Sequence, residues 1–115
     1  MSELRLKRVE SLVKEEIGNL INRQIIKDPR VNPLATVTRV RASKDLKYSK
    51  VFISFYGEAS RRWECVQALN HAAGFIQKEL GARLHLRFIP KLTFLEDSSI
   101  EQGFRITQKL KEISS

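Results

Sequence analysis

Apolar residues near the start of the chain follow a helical spacing. Between residues 3 and 25 they recur every three or four positions, at Leu6, Val9, Val13, Ile17, Leu20 and Ile21. This spacing places them on one side of a helix and leaves a charged side opposite. Pro29 disfavours helical backbone at the residue before it. The pattern therefore predicts an amphipathic helix over 3–25, followed by a loop that runs through Pro33.

Alternation of side chains replaces the helical spacing after residue 35. One face of a predicted strand over Thr36–Ser43 carries Thr36, Thr38, Val40 and Ala42, and the other carries Val37, Arg39 and Arg41. A second run has Val51, Ile53 and Phe55 alternating with Phe52, Ser54 and Tyr56. Both runs are rich in β-branched or aromatic residues, and only the turn at 43–49 separates them. We expect an antiparallel hairpin with a basic outer face.

An interrupted helix is predicted over Ser60–Gly81, with Ser60 as its N-cap and Gly81 as its stop. Its apolar stripe consists of Val66, Leu69, Ala73, Ile76 and Leu80. The small residues Ala72, Ala73 and Gly74 lie in the middle of it. Glycine inside a helix costs about 1 kcal/mol relative to alanine, so a kink or a close backbone approach is expected there.

Two interpretations of this break remain open. In the first, Gly74 lets another helix or the sheet pack closely. In the second, a backbone without bulky side chains opens a new helix N-terminus and approaches a phosphate group. Polar side chains border the break on both sides, namely Asn70, His71, Gln77 and Lys78.

The last third of the chain predicts one more strand and one more helix. Residues 84–96 are densely apolar, and Pro90 is expected at the start, an edge or a bulge of the strand, with the best pairing from Lys91 onward. Ser98 and Glu101 have capping-box spacing before a final helix. The order is α-β-β-α-kink-α-β-α, an α+β fold in which helices cover one face of a three-stranded sheet.

Length and charge narrow the class of protein. A chain of 115 residues is expected to form one domain, over residues 1–115. The formal net charge is +8, and residues 1–57 carry 12 Lys and Arg against 6 Asp and Glu. Such an excess suits a phosphate backbone, but equally an acidic protein or an anionic membrane surface. Cys65 is the only cysteine, so the chain cannot form an internal disulfide bond, which is compatible with a reducing cytoplasm. The sequence contains neither an apolar run long enough to span a bilayer nor the core of a signal peptide. We therefore expect a cytoplasmic protein.

Few residues are candidates for chemistry. His71 and His85 lie 14 positions apart without a third ligand at metal spacing, and Cys65 is expected to be a small buried residue. The chain has neither a phosphate-binding glycine loop nor a dinucleotide fingerprint. Glu96 and Asp97 precede the predicted last helix, where they favour its dipole. We therefore expect a binding protein with no catalytic residue, no metal and no cofactor.

Several stretches resemble one family, bacterial ribosome-binding factor A. They are Ile26–Arg30, Ser43–Leu46, Lys50–Phe55, Ala72–Ile76, Leu86–Arg87, Pro90–Phe94, Asp97–Ser99 and Gly103–Arg105. They occur in the family's order and cover nearly the whole chain. The resemblance implies a type II KH-like fold in which Ala72, Ala73 and Gly74 form an Ala-x-Gly kink in place of a glycine loop.

The resemblance also implies a function. Members bind the free small (30S) ribosomal subunit near its neck, contact 16S rRNA, assist late maturation including the processing of its ends, matter most in the cold, and leave before translation. They are not enzymes, so we expect neither a small-molecule substrate nor a membrane partner, and we expect a monomer. Many relatives have a longer charged C-terminal tail, whereas this sequence ends at Ser115.

The predicted RNA contacts fall into two sets. The first set surrounds the kink and consists of Asn70, His71, Ala72, Ala73, Gly74, Gln77 and Lys78. The second set supplies salt-sensitive attraction and consists of Arg39, Arg41, Lys44, Lys47, Lys50, Arg5, Lys7, Arg8, Lys27 and Arg30. Each cation could instead be a solvated surface charge. Because the outer sheet face has no evident row of aromatic residues, base stacking on it is not expected.

Three other functions remain open at this point. The chain could be a generic KH-like nucleic-acid binder, which would bind free oligonucleotides as well as subunits. It could be a protein-interaction module for an acidic partner. An enzyme of small-molecule metabolism would need a concave pocket with converging polar groups, which the sequence does not indicate.

Overall fold

A computed structural model describes residues 3–86 and 88–97 of the chain. Three helices and three strands form in the order α1 (Glu3–Asn22), β1 (Thr36–Ala42), β2 (Tyr48–Ser54), α2 (Ala59–His71), α3 (Ala73–Leu84) and β3 (Lys91–Glu96). This order confirms the predicted α+β fold class as far as β3. The predicted last helix and its capping box lie outside the described residues.

The sheet is mixed, with β2 in its centre. β1 pairs with β2 antiparallel, and β3 pairs with β2 in parallel. The helices pack on one face, where Ile17 of α1, Val51 of β2 and Leu69 of α2 are fully buried. The buried apolar residues of all six elements belong to one hydrophobic cluster. Burial of this apolar surface provides the main favourable free energy of folding.

The first helix ends three residues before the predicted boundary. Gln24 adopts a left-handed conformation with φ of 57°. The amide of Ile25 donates to the Leu20 carbonyl across 3.0 Å, and that of Gln24 donates to the Ile21 carbonyl across 3.1 Å. This is a Schellman ending formed without glycine. It turns the chain so that Ile26 is buried in the loop that follows.

A β-bulge in β1 corrects the predicted strand faces. Val37 pairs with Ile53 and Arg39 pairs with Phe52, so Thr38 is the extra residue between them. Its hydroxyl donates to the Asp97 carboxylate and also lies 3.3 Å from the carbonyl oxygen of Phe52. A bulge shifts the alternation by one position. Val37 is therefore buried on the helix side, and the prediction that it shares a face with Arg39 and Arg41 is wrong.

The interrupted helix is confirmed, although its boundaries differ from the prediction. α2 begins at Ala59 after Glu58, so Ser60 is not the N-cap. The two helices are separated at Ala72, whose φ is −89° and ψ is 6°. Gly81 lies inside α3 rather than at its end, and the left-handed residue that terminates this helix is His85, with φ of 52°.

Pro90 is confirmed as the residue before the third strand. β3 begins at Lys91, whose amide donates to the Lys47 carbonyl across 2.8 Å. Because proline has no amide hydrogen, it stands where no ladder bond is lost. The prediction that pairing is regular from Lys91 onward is correct.

Candidate nucleic-acid interface

The break between α2 and α3 exposes backbone rather than accommodating a neighbour. Ala72 is the N-cap of α3, and no side chain caps that helix. Gly74 is exposed, and a Cβ atom placed on it would meet no heavy atom within 4 Å. The interpretation that Gly74 allows close packing is therefore wrong. Amides at the start of α3 can instead meet a ligand with negative charge, which helix N-termini favour.

The polar residues around the break differ in their availability. His71 and Lys78 are exposed, whereas Ala72 and Ala73 are half-buried. The Asn70 side-chain amide donates to the Phe94 carbonyl across 2.9 Å, and its oxygen accepts from the Phe94 amide across 2.7 Å. Asn70 thus covers the outer edge of β3 and does not belong to the accessible surface at the break.

Gln77 also has a contact within the protein. Its Nε2 atom donates to the carbonyl of Ile89 across 3.3 Å, at the long end of hydrogen-bond distances. This bond ties α3 to the segment before β3. The part of the first predicted set that stays accessible therefore comprises His71, Gly74 and Lys78.

The loop after α1 lies beside the break. Arg30 donates to Asp28 from its amide across 2.9 Å, from Nε across 3.1 Å and from Nη2 across 2.8 Å. These bonds, together with the nearby charge of His71, lower the pKa of Asp28 from 3.8 to about 2. The structure thus brings Asp28 within electrostatic range of His71 beside the kink, but two nitrogens of the neighbouring Arg30 guanidinium already donate to Asp28.

The second set of cations lies mainly on the other side of the sheet. Val40 and Val51 pair on the buried side, so their neighbours Arg39, Arg41 and Lys50 point away from the helices. The Arg39 guanidinium lies over the Phe52 ring, 4.2 Å from its centroid. These side chains are exposed, apart from the half-buried Phe52. No described helix covers this side of the sheet, which we call the open face.

An ordered turn carries two more of the predicted cations, Lys44 and Lys47. The Asp45 carboxylate accepts from the Ser43 hydroxyl across 2.6 Å and from the Lys47 amide across 3.1 Å. The first of these bonds is the main reason why the pKa of Asp45 is lowered. Leu46 completes the turn in a left-handed conformation, with φ of 60°. The two lysines are therefore exposed on a fixed backbone.

The N-terminal half of α1 approaches the end of β1, where this turn begins. Glu10 Oε2 accepts from the amide of Ala42 across 2.7 Å. This bond places the exposed cations of α1 at the same end of the molecule as the turn; they are Arg5, Lys7 and Arg8. The predicted residues therefore form two groups, one around the kink on the helix side and one around the hairpin and its open face.

Other chemistry has little support among residues 3–86 and 88–97. No group of three or more His, Cys, Asp or Glu could hold a metal ion there. Cys65 is fully buried, as predicted, and burial raises the pKa of its thiol. None of the described helices has the length and apolar content needed to cross a membrane.

Comparison with known proteins assigns the family. The sequence profile of ribosome-binding factor A matches residues 5–110. The chain belongs to the ribosome-binding factor A family. Ribosome-binding factor A from Dictyoglomus thermophilum is 41% identical over 109 residues, which are 95% of this chain and 90% of the relative.

Solved structures of the family share the fold. The crystal structure of ribosome-binding factor A from Thermus thermophilus matches with a TM-score of 0.66 and 30% identity, over 79% of this chain and 94% of that one. A homology model of the Thermus thermophilus protein, fitted into the cryo-EM map of a complex between the 30S subunit and ribosome-binding factor A, matches with a TM-score of 0.63 and 30% identity, covering 79% and 93% of the two chains. The type II KH-like class predicted from sequence is thereby confirmed, and ribosome biogenesis and RNA binding follow from membership of the family.

Sequence reasoning missed two residues of the open face. Tyr48 is 61% exposed at the start of β2, and its partner in β3 is Lys91, which is also exposed. The sequence pattern assigns Tyr48 to the turn at 43–49, so its position on the strand is not evident from sequence. The pattern assigns Lys91 to the third strand, but the parallel register that brings Lys91 beside Tyr48 has no local signal in the sequence.

Proposed function

We propose that this protein binds the free small ribosomal subunit in the cytoplasm, contacts its 16S rRNA, and assists late maturation of that RNA, including the processing of its ends, with the greatest need in the cold. It acts as a monomeric, non-enzymatic assembly factor built on a single KH-like domain. Membership of the family supports this proposal, as does the cryo-EM map of a 30S complex into which a relative was fitted.

The exposed break between α2 and α3 is the observation that carries the proposal. The N-terminus of α3 lacks a side-chain cap, and the space beside Gly74 is open. A phosphate oxygen can therefore come within hydrogen-bond distance of the backbone. His71 and Lys78 border this opening as exposed polar groups. The chemistry that fits is an RNA backbone recognised by shape and charge.

The exposed cations supply a second, less directional contribution. Contacts between Lys or Arg and phosphates release counterions, so the affinity falls as salt rises. Arg41, Lys44, Lys47 and Lys50 are exposed, and no described carboxylate forms an ion pair with them. The cations of α1 lie at the same end of the molecule as this group, whereas Lys27 belongs to the loop on the helix side of the sheet.

Substitution of Gly74 tests the contact between RNA phosphate and the backbone at the start of α3. Gly74→Leu places a bulky side chain in open space, so we expect a cooperative thermal transition like that of the wild type. Cosedimentation with purified small subunits should weaken at least about tenfold, because a phosphate contact to charged or dipolar donors is worth about 1.5–3 kcal/mol.

A matched control exists in α1. Gly18 is also a helical glycine, and a Cβ atom placed on it would likewise meet no heavy atom within 4 Å, so Gly18→Leu makes the same chemical change away from the kink. This variant should cosediment like the wild type. Equal binding by the wild type and Gly74→Leu would contradict a role for the kink.

The choice of partner is tested by sedimentation with several particles. Binding to free small subunits should decline steadily across a salt series, and large subunits or translating ribosomes should bind weakly. Binding that is undiminished in high salt would contradict the electrostatic contribution. Association that survives nuclease digestion of the RNA would instead favour a protein-interaction module.

The proposed role in maturation requires a cellular measurement. Cells that lack the gene should accumulate small-subunit RNA with unprocessed ends, and more so at low temperature. Expression of the wild-type chain should reverse the accumulation, and the Gly74→Leu variant should not. Normal processing in the deleted strain at low temperature would contradict this part of the proposal.

A further inference from the structure

The register of the sheet arranges the open face in rows. Arg39, Phe52 and Leu95 occupy successive positions across β1, β2 and β3, and the next row consists of Arg41, Lys50 and Thr93. Tyr48 and Lys91 form a third row at the hairpin end. Directly opposed side chains in a sheet lie about 5 Å apart, so the rows form one continuous surface.

Two features of this surface suit an unpaired base. Tyr48 is 61% exposed, so its ring is available to a ligand. About 13 Å along the same strand, the Arg39 guanidinium covers Phe52 at 4.2 Å and presents its own outer plane. Aromatic rings and arginine planes are the groups on which proteins stack single-stranded bases.

The charge between these two features suits the nucleotide backbone. Lys50 lies between Tyr48 and Phe52 along β2, flanked by Arg41, and Lys91 is beside Tyr48. Among the described residues, no carboxylate forms an ion pair with any of these three cations. The carboxylate of Asp97 lies at the far end of the sheet and accepts from the Thr38 hydroxyl. Cations alternate with stacking surfaces, as in proteins that bind single strands.

We propose that the open face binds unpaired RNA, with one base stacked on Tyr48, another on the Arg39 plane, and the intervening phosphates near Arg41, Lys50 and Lys91. This surface is separate from the kink, because the sheet lies between them. It departs from the expectation, drawn from sequence, that bases do not stack on the sheet. The proposal rests on the proposed function and identifies unpaired RNA as what this second surface contacts.

Chemical-shift mapping tests the position of the surface. The isotope-labelled protein is titrated with an eight-nucleotide single-stranded RNA that has no self-complementarity. The largest shifts should fall on Tyr48, Lys50, Phe52, Thr93 and Leu95. Shifts confined to His71, Gly74 and Lys78 would overturn the proposal while leaving the kink contact intact.

Tyrosine variants test stacking. Tyr48→Ala should weaken oligonucleotide binding roughly tenfold, and Tyr48→Phe, which retains the ring, should bind like the wild type. Tyr56→Ala is the matched control, because Tyr56 is fully exposed but lies beyond the end of β2. Thermal melting of each variant separates lost binding from lost folding, and Tyr48→Leu serves if the alanine variant melts early. Equal affinity of folded Tyr48→Ala and the wild type would overturn stacking.

Competing ligands test the class of partner. Double-stranded RNA of equal length and an oligoglutamate of equal charge should both bind more weakly than the single strand. If oligoglutamate binds as tightly, the surface recognises acidic protein and the proposal fails. Arg41→Gln should reduce the slope of log affinity against log salt by about 0.7 for a single-stranded ligand.

Sedimentation separates this proposal from the broader one. If the wild-type chain does not cosediment with small subunits, the proposed function fails, whatever the oligonucleotide does. If the wild-type chain cosediments and folded Tyr48→Ala does so equally well, the open face is not used on the subunit and this inference fails alone. Weaker cosedimentation of Tyr48→Ala than of Tyr56→Ala supports it.

Discussion

At the scale of single residues, similar polar side chains have different roles. Asn70 and His71 are adjacent in the sequence, yet the Asn70 amide is bonded to the edge of β3 and His71 is exposed. A side chain with two backbone hydrogen bonds on a sheet edge also protects that edge from pairing with another chain. The functional set predicted around the kink therefore contains residues with a structural role, Asn70 and, through its bond to the Ile89 carbonyl, Gln77.

Replacing Asn70 separates stability from binding. Asn70→Ala removes both bonds to Phe94 and should lower the free energy of unfolding by about 1–3 kcal/mol, measured by chemical denaturation. Gln67→Ala, an exposed position on the same helix, should change it little. Folded Asn70→Ala should still bind small subunits. Unchanged stability with lost binding would instead make Asn70 an RNA contact.

Asp28 gives a pH-dependent prediction. Its pKa falls from 3.8 to about 2 in the folded chain, so its ionised form stabilises the fold above about pH 4. That contribution is lost as the pH falls toward 2, because the unfolded chain takes up a proton at this carboxyl while the folded chain still resists protonation. Melting temperatures measured between pH 5 and 2 should therefore fall less steeply for Asp28→Asn than for the wild type. Parallel curves would contradict the contribution of Asp28.

At the scale of elements, the two helices around the break depend on each other's ends. Ala72 ends α2, through the bond from its amide to the Ala68 carbonyl at 3.0 Å, and begins α3, through the bond from the Ile76 amide to its own carbonyl at 2.9 Å. One residue with φ of −89° and ψ of 6° thus interrupts the helix. Gly74, two residues after it, keeps the start of α3 exposed.

The open space at Gly74 makes a stabilising substitution possible. Gly74→Ala should raise the free energy of unfolding by about 0.5–1 kcal/mol, because alanine loses less backbone entropy in a helix and its Cβ meets nothing. Denaturant unfolding measures the change. Gly57→Ala is the contrasting variant, since a Cβ there would lie 2.9 Å from the Phe55 ring. A lower free energy of unfolding for Gly74→Ala would contradict the open space around Gly74, because it would mean that the added methyl group meets a neighbouring atom.

At the scale of the whole molecule, the sheet divides the charged residues into two groups. The kink and the loop at Asp28 lie on the helix side, and Arg39, Arg41 and Lys50 lie on the open face. Among residues 3–86 and 88–97, the cations therefore do not form a single patch. A large RNA particle can contact both sides, whereas a short oligonucleotide can occupy only one at a time.

This division predicts additive losses of binding free energy. The double variant Gly74→Leu with Tyr48→Ala should bind small subunits with a loss of affinity equal to the product of the two single losses, because distant sites without shared partners act independently. Cosedimentation of the four proteins at one salt concentration measures this. If the double variant binds small subunits no more weakly than the single variant with the lower affinity, the two residues contribute to one shared contact with the RNA.

The sequence determined the element types and most of the core. The helical spacing of Val13 and Ile17, the alternation around Val51 and Ile53, and Pro90 before the third strand are local signals, and the structure agrees with each. The short stretches shared with the family were also sufficient to predict the fold class and the break near Ala72. Local periodicity is reliable here because burial on one side of each element imposes it.

Only the tertiary structure decided how those elements combine into surfaces. The bulge at Thr38 moves Val37 into the core, and the parallel register of β3 places Lys91 beside Tyr48. The same packing turns Asn70 toward Phe94 and leaves Gly74 open. Each of these depends on partners far away in the chain, and the spacing of side chains within one element carries no information about such partners.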